Sequence, residues 1–442
     1  MFARTRSHRN LWRWGGEIRR VGSWVPGFAK ADCGAPVEQH CAVGFYRSAG
    51  YAVRPVGQQK HVRERELIHV WEVTIVQEKQ AMLIVDGHLD LALNALQNNR
   101  DLLLDAYTTR ALESGTPGKG KAKGTVAFPQ MRRGRVALCF TTLCARSTGR
   151  PTPHIDYNSP AQAYGVAHGQ LAYYRGLEAQ GHVSVITDLA QLDAHLELWT
   201  KFDTLASPDE EAPPLGVVVS MESADPVLFP EQLQSWWDAG LRLIGPAHFG
   251  QGRYAGGTGC DGSLTSLGPG LLREMERLGI PLDLTHLSDV SFWECLQIYQ
   301  GPVLASHTNC RTLVPHQREF DDDQLRAILA RDAVIGVTLG NWQVSFGWIV
   351  GAKNEKYSVT LERVVDHIDH ICQLAGDCRH VAIGSDLDGG VGTDEFPEDL
   401  DTIEELQRFQ HLLADRGYDQ EAVASILHKN WISFLRKAWG AE

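Results

Sequence analysis

The stretch Leu83-Ile84-Val85-Asp86-Gly87-His88-Leu89-Asp90 (LIVDGHLD, residues 83–90) decides the fold class of this chain. Its aliphatic start predicts a short buried strand. The run then ends in polar residues, and His88 and Asp90 lie two positions apart, so their side chains project to the same side of an extended backbone. A strand that only fills a core has no need of this ending. The stretch therefore predicts a strand whose carboxyl end carries metal-binding side chains.

Seven more apolar runs follow this first one along the chain, and segments of helical length separate most of them. The runs lie at residues 82–86, 135–143, 215–221, 241–245, 280–286, 302–307, 333–339 and 380–386, and the helical segments at 161–179, 184–202, 268–278, 288–299, 321–331, 360–375, 401–416 and 419–438. Near-continuous apolar strands alternating with helices are typical of a parallel sheet covered on both faces. We therefore predict an α/β fold, a (β/α)8 TIM barrel of the metal-dependent hydrolase type, with a doubly wound open sheet as the alternative. Residues 105–133 are expected to form a long loop and 345–358 an insertion.

Composition limits the partners and the cell compartment. The formal net charge of −12 argues against nucleic-acid binding, which requires a basic surface. We find no apolar run of the roughly 18–20 residues that a membrane span needs. The nine cysteines form no CxxC pair and predict reduced thiols in a cytoplasmic protein. Residues 1–80 are Arg-rich at their start and without a sustained period, so we expect a disordered or non-native extension ahead of a single catalytic domain at 82–442.

Six of the eight runs end in, or lead directly to, a histidine or a carboxylate. These residues are Asp86, His88 and Asp90, then Glu222, His248, His286 and His307, and finally Asp386 and Asp388. In a barrel, the carboxyl ends of all strands meet at one rim. His88 and Asp90 can share one ion, His286 and His307 supply neutral imidazole nitrogens from adjacent strands, and Glu222 has two oxygens with which it can bridge two ions. Mixed histidine and carboxylate ligands suit zinc, with manganese and cobalt also admissible, and two such ions activate water for hydrolysis.

Other polar residues are expected to have structural roles. His154, His316 and Cys310 are interpreted as ordinary structural residues, and His367 and His370 as part of a solvated helix face.

With these residues in place, the chain resembles the renal (membrane) dipeptidase family, the zinc dipeptidases of the amidohydrolase superfamily. The resemblance covers about residues 82–440 and rests on five segments in the family's order: VDGHLD, LDLTHLSDVSFWECL, PVLASHTNCRTLVPHQRE, VAIGSDLDGG and NWISFLRKAWG. It implies a (β/α)8 barrel with two zinc ions, ligated by His88 and Asp90 on one side and by His286 and His307 on the other, with Glu222 bridging. It further implies that His248 stabilises the oxyanion and contacts the substrate, that Arg318 binds the substrate carboxylate, and that Asp386 handles the amine and the proton transfer.

Two segments depart from the family's pattern. Ser223-Ala224-Asp225 follows Glu222 where the family usually has Gly-Gly, and the segment GPAHFGQGRYAGGTG around His248 lacks the usual Thr-His-Asn context. The ligands are untouched, so the departures bear on substrate identity more than on hydrolysis.

The resulting functional prediction is a binuclear zinc metallopeptidase. We expect it to cleave dipeptides, including ones with a C-terminal D-residue, through attack by a metal-bridged hydroxide, and by analogy with the family to form a homodimer. Two alternatives stay open at this point: a hydrolase of lactones or other small amides, and a relative that binds metal but has lost turnover.

Overall fold

The computed structural model describes residues 81–150, 152, 154–205, 212–352 and 358–440. The expectation for residues 1–80 falls outside this part of the chain and stays a prediction.

The described residues contain nine parallel strands. They are β1 (Ile84–Leu89), β2 (Val136–Cys144), β3 (Val183–Val185), β4 (Leu215–Glu222), β5 (Leu241–Gly245), β6 (Leu282–Asp283), β7 (Val303–Leu304), β8 (Ile335–Val337) and β9 (Val381–Ile383). Strands β1, β2, β4, β5, β6 and β7 pair in that order, β8 pairs with β9, and a bridge from Ala305 to Ile335 continues the order from β7 to β8. The eight predicted runs correspond to eight of these strands.

Contacts between the first and last strands join the two ends of this order. The Asp86 carboxylate accepts hydrogen bonds from Ser385 N at 2.8 Å and Ser385 Oγ at 2.5 Å, and Asp386 N donates to His88 O at 3.3 Å. A doubly wound open sheet would instead have two free edges and a reversal in strand order. The predicted α/β class and barrel type are therefore confirmed.

The helices cover the outside of the strands. They are α1 (Ala106–Leu112), α2 (Phe128–Arg133), α3 (Pro160–Ala179), α4 (Leu189–Leu205), α5 (Leu233–Asp238), α6 (Gly268–Leu278), α7 (Asp289–Ile298), α8 (Asp322–Leu329), α9 (Asn341–Val344), α10 (Leu361–Ala375), α11 (Phe409–Asp415), α12 (Gln420–Ala424) and α13 (Asn430–Ala438). Short 3-10 or π turns lie at Leu93–Gln97, Pro230–Gln232, Thr393–Glu395, Ile403–Arg408 and Ser425–Lys429. None of the described helices is both long and apolar enough to cross a bilayer.

Three expectations about local structure were wrong. The stretch 105–133 is not all loop, since α1 and α2 lie within it. Residues 184–185, predicted to begin the helix 184–202, belong instead to β3 on the edge of β4, and α4 begins at Leu189. His367 is not on a solvated face: it is buried, its Nδ1 accepts from Cys310 N at 3.2 Å, and its Nε2 lies 3.2 Å from Val344 O. Local periodicity cannot reveal such contacts, because the partners are far apart in the chain.

The strands bury two different faces. Inward-facing side chains such as Val85, Phe140 and Val218 form one cluster with Trp431 of α13, whereas their outward-facing neighbours pack against the surrounding helices. The Trp431 indole is fully buried and donates from Nε1 to Ile383 O at 2.8 Å. The last helix therefore supplies part of the barrel interior, directly below the carboxyl end of β1.

Gly87 leaves room for this indole because it has no side chain. A Cβ atom at position 87 would lie 2.6 Å from Trp431 Cζ2 and 2.9 Å from the backbone oxygen of Ser306. We expect Gly87→Ala to lower the free energy of unfolding by about 1–3 kcal/mol, because the core must shift to admit the methyl group. Denaturant titration followed by tryptophan fluorescence measures the change.

Gly169→Ala in α3 is the matched control for this prediction. Gly169 is exposed and a Cβ atom there meets nothing within 4 Å, so alanine should be neutral or stabilising by up to about 1 kcal/mol. Equal stability of the two variants would show that the contact with Trp431 is not tight.

Candidate metal centre

The carboxyl ends of the strands bring four histidines around one carboxylate. Measured to Glu222 Oε1, the Nε2 atom of His286 lies at 3.3 Å, that of His307 at 3.6 Å, and those of His88 and His248 at 3.7 Å. Glu222 is the last residue of β4, and the parallel register that pairs Cys144 with Glu222 and Glu222 with Gly245 aligns the neighbouring strand ends with it.

The five predicted ligands form two overlapping groups. His88, Asp90 and Glu222 make one group, and Glu222, His286 and His307 make the other; within each, the ligand atoms lie within 4.8 Å of one another, and all five residues are buried. His88 Nε2 has no hydrogen-bond partner despite its burial. A buried polar atom without a partner is costly, and a cation at this position would remove the cost. The donor set therefore fits bound metal, and Glu222 is common to both groups.

Hydroxyl groups form hydrogen-bond contacts with three of these side chains. Thr258 Oγ1 lies 3.0 Å from His286 Nδ1, Ser306 Oγ lies 2.8 Å from His307 Nδ1, and Thr142 Oγ1 donates to Asp90 Oδ1. Contacts of this kind fix ring orientation and leave the opposite nitrogen free for a metal. Thr258 lies in the segment GPAHFGQGRYAGGTG around His248.

Several residues at this rim have a left-handed backbone conformation. Ser223 has φ +74°, His286 +69°, Asp386 +56° and Asp388 +63°, although none is glycine. Such conformations cost energy and persist where the surrounding structure enforces them, which occurs most often at functional sites.

Burial shifts the ionisation of the carboxylates and histidines in the directions that a metal pair would offset. Desolvation raises the pKa of Asp90 to about 6 and that of Glu222 well above its usual range. Desolvation, with a contribution from the Arg318 charge, lowers the pKa of His88 to about 3, and it lowers those of His286 and His307 well below their usual range. Neutral imidazole is the form that ligates a metal, and added cations would favour ionised carboxylates.

The three other predicted site residues lie next to the ligands. Asp386 Oδ1 is 3.9 Å from His88 Nε2, and His248 Nδ1 is 3.0 Å from Arg146 Nη1. Arg318 is 2% exposed and donates from Nη2 to His307 O at 2.7 Å, while its Nε and Nη1 have no partner. These side chains line a cavity of about 330 Å³ that also includes Phe249.

Sequence reasoning missed two residues beside the predicted ones: Arg146, which contacts His248, and His316, which lines the cavity. Arg146 follows the end of β2, so the same inspection of strand ends would have found it. His316, interpreted as structural, lines the cavity, stacks edge-on against Trp342 at 5.2 Å and accepts from Arg318 N at 3.0 Å. His316 lies two residues before Arg318 in the segment PVLASHTNCRTLVPHQRE, and this position was the signal that the sequence offered.

The family model described as "Membrane dipeptidase (Peptidase family M19)" matches residues 74–440 of this chain. The chain belongs to this family. It is therefore a metal-dependent peptidase, which confirms the family resemblance and the hydrolase class predicted from the sequence.

Three curated relatives match parts of this chain, and the names of two of them describe dipeptidases. An uncharacterised Klebsiella pneumoniae protein from the pqqA 5′ region is 32% identical over 215 residues, which cover 47% of this chain and 76% of that protein. An uncharacterised dipeptidase of Schizosaccharomyces pombe is 28% identical over 205 residues, covering 46% of this chain and 47% of its own length. Dipeptidase tcpJ of Claviceps purpurea is also 28% identical over 205 residues, or 45% of each chain. The matched segment thus spans about half of these two dipeptidases.

Solved structures share the fold of this M19 chain. Dipeptidase AC, a family M19 metallopeptidase, superposes with a TM-score of 0.62 at 24% identity and covers 82% of this chain and 100% of its own. A Rhodobacter sphaeroides metallopeptidase, crystallised with a phosphinate mimic of the dipeptide L-Ala-D-Ala, gives a TM-score of 0.63 at 23% identity and covers 81% and 100%.

The departure after Glu222 has a structural explanation in this family member. Asp225 is fully buried, and its two oxygens accept from Ser147 N and Arg253 N, both at 2.6 Å. Asp225 thereby ties the loop after β2 to the loop after β5, which carries His248.

Proposed function

We propose that this M19 chain is a dipeptidase that uses two zinc ions. The observation that carries the proposal is the single carboxylate, Glu222, shared by two buried groups of ligands. His88 and Asp90 would complete the site of one ion, and His286 and His307 that of the other. Mixed nitrogen and oxygen ligands favour zinc over magnesium or calcium, which take oxygen ligands alone.

The residues around the two ligand groups would bind the substrate, stabilise the oxyanion and transfer the proton. When bound, a metal pair would polarise the scissile carbonyl and lower the pKa of water. Arg318 would bind the free C-terminal carboxylate of the substrate through its unpartnered Nε and Nη1 groups. His248 would donate from Nε2 to the carbonyl oxygen as negative charge develops on it. Asp386 would accept a proton at Oδ1 from the attacking water and pass it to the leaving amine.

The substrate class follows from the size and charge of the cavity. A volume of about 330 Å³ lies at the small end of ligand pockets, and the buried Arg318 guanidinium selects a carboxylate close to the reacting centre. Both features favour dipeptides over longer peptides. The Rhodobacter sphaeroides metallopeptidase binds a mimic of L-Ala-D-Ala, so we extend the proposal to dipeptides with a C-terminal D-residue.

We further propose a cytoplasmic homodimer. The location rests on the nine scattered cysteines without a CxxC pair, which suit a reducing compartment. The dimer is an analogy with the family, and size-exclusion chromatography with light scattering tests it.

Metal removal combined with a substrate panel tests the proposed function. Chelator-treated protein should lose at least about 99% of its activity on L-Ala-L-Ala and L-Ala-D-Ala, and two equivalents of zinc per chain should restore it. Elemental analysis gives the metal content, and protein passed through the same buffers without chelator is the control.

Three results would contradict the proposal. Undiminished turnover by metal-free protein would remove the metal from the reaction. Hydrolysis of lactones or simple amides without hydrolysis of dipeptides would favour the broader amidohydrolase activity. Full zinc loading with no turnover of any substrate would identify a metal-binding relative.

A further inference from the structure

Arg146 contacts His248 although the two residues lie 102 positions apart in the chain. Arg146 Nη1 is 3.0 Å from His248 Nδ1, and both residues sit on loops that follow strands at the active rim. The inference drawn from this contact rests on the proposed function, because it concerns how His248 serves the reaction.

The contact decides where the His248 ring carries its proton. A guanidinium has five N–H donors and no acceptor. His248 Nδ1 must therefore accept, and the ring proton lies on Nε2. A proton on Nδ1, in the other tautomer or in the imidazolium, would point at the guanidinium donors.

Two of the three histidines proposed as ligands, His286 and His307, have partners of a different kind at Nδ1. His286 Nδ1 and His307 Nδ1 face the hydroxyls of Thr258 and Ser306, whose oxygens can accept a hydrogen bond from Nδ1–H. Their Nε2 atoms can thus offer a lone pair to a metal. His248 Nε2 lies 3.7 Å from Glu222 Oε1, nearly as close as His307 Nε2 at 3.6 Å, but it carries a hydrogen and cannot ligate. Cys144, Glu222 and His248 are near enough to form a third metal group, and the Arg146 contact excludes His248 from it.

Two buried carboxylates hold Arg146 in place. Asp156 Oδ2 lies 3.0 Å from Arg146 Nε, and Asp156 also accepts from Thr148 N at 3.0 Å and from Thr148 Oγ1 at 2.6 Å. Asp225 accepts from Ser147 N at 2.6 Å. Asp156 therefore fixes the guanidinium directly, and Asp225, on the loop after β4, fixes the backbone of the neighbouring residue.

We propose that Arg146 is a positioning residue that keeps His248 as a hydrogen-bond donor to the reacting carbonyl and prevents it from acting as a metal ligand. Arg146 acts only through His248 and touches no substrate atom in this role. This role connects the two departures from the family's pattern, the residues that follow Glu222 and the sequence around His248. Asp225 supports the loop that carries Arg146, and Arg146 contacts His248.

A double-mutant cycle tests this proposal on the zinc-loaded enzyme. Loss of a complete oxyanion donor costs about 10²–10³ in kcat. Arg146→Met leaves the imidazole present but unoriented, so we expect kcat for L-Ala-D-Ala to fall by about tenfold or more with KM changed by less than about twofold. In the His248→Phe background, the same substitution should change kcat by less than about twofold, because its effect depends on the imidazole. Arg146→Lys, which keeps a donor, should recover part of the loss.

Arg253→Met is the matched control. Arg253 lies on the His248 loop, and its guanidinium donates to Leu228 O at 2.5 Å without contacting His248. This variant should keep kcat within about twofold of wild type. An equal fall in Arg253→Met, or an undiminished effect of Arg146→Met in the His248→Phe background, would assign Arg146 a merely structural role and overturn the proposal.

NMR can determine the His248 tautomer without a measurement of activity. In long-range ¹H–¹⁵N spectra of histidine-labelled enzyme, the signal that disappears in His248→Phe should show a bare Nδ1 and a protonated Nε2. A protonated Nδ1 would overturn the Arg146 proposal. If wild-type protein hydrolyses no dipeptide, the proposed function fails, while these spectra still decide the proton position.

Discussion

Replacing Glu222 with glutamine should lower kcat/KM for dipeptides by at least about a thousandfold and reduce the bound zinc from two ions per chain to one or none. Glu222 Oε1 lies within 3.7 Å of four imidazole nitrogens, and both ligand groups include it. A glutamine side chain has no negative charge and offers one oxygen, its other terminal atom being a donor. Even residues that only support metal ligands cost about 10–100-fold in affinity or activity when changed, so loss of a shared ligand should cost more.

Glu231→Gln is the control for this result. Glu231 lies on the same connection after β4, is exposed, and takes part in neither ligand group, so its variant should keep its zinc and its activity. Elemental analysis and steady-state kinetics on the same preparations give both readouts. If Glu222→Gln retains two zinc ions and wild-type turnover, the shared carboxylate is not the centre of the site.

Replacing Arg318 with methionine should raise KM for dipeptides by about a hundredfold or more and leave C-terminally amidated analogues much less affected. Arg318 is 2% exposed, and two of its guanidinium nitrogens face no protein acceptor. A substrate carboxylate would satisfy them, and removing one partner of a buried charge pair costs about 2–5 kcal/mol. Since the amide lacks the negative charge, the enzyme should lose less on this substrate.

Arg326→Met controls for the loss of an arginine in the helix that follows this loop. Arg326 in α8 pairs with Asp323 at 3.0 Å and is absent from the cavity wall, so the substitution should leave KM within about twofold. Equal losses on acid and amide substrates in Arg318→Met would argue against carboxylate recognition and for a structural role beside His307.

Much of the fold could be predicted because it follows from local pattern. The eight apolar runs correspond to eight strands, and α6 has the predicted bounds, with Gly279 at φ +67° ending it. The site candidates followed from the same pattern, because parallel strands place their carboxyl ends at one rim. The exceptions were short or irregular elements: β3 has three residues, and helix α1 lies in a segment rich in turn residues.

The sequence by itself determined which segments are strands, which polar residues end them, and which family the motifs resemble. Only the tertiary structure decided what each histidine can do, because an imidazole's role depends on the partner of its other nitrogen. For His248 that partner is Arg146, 102 positions away, and Gly87 is likewise explained only by the Trp431 indole packed against it. Periodicity reports the direction in which a side chain points, whereas closure of the barrel determines which distant group it meets.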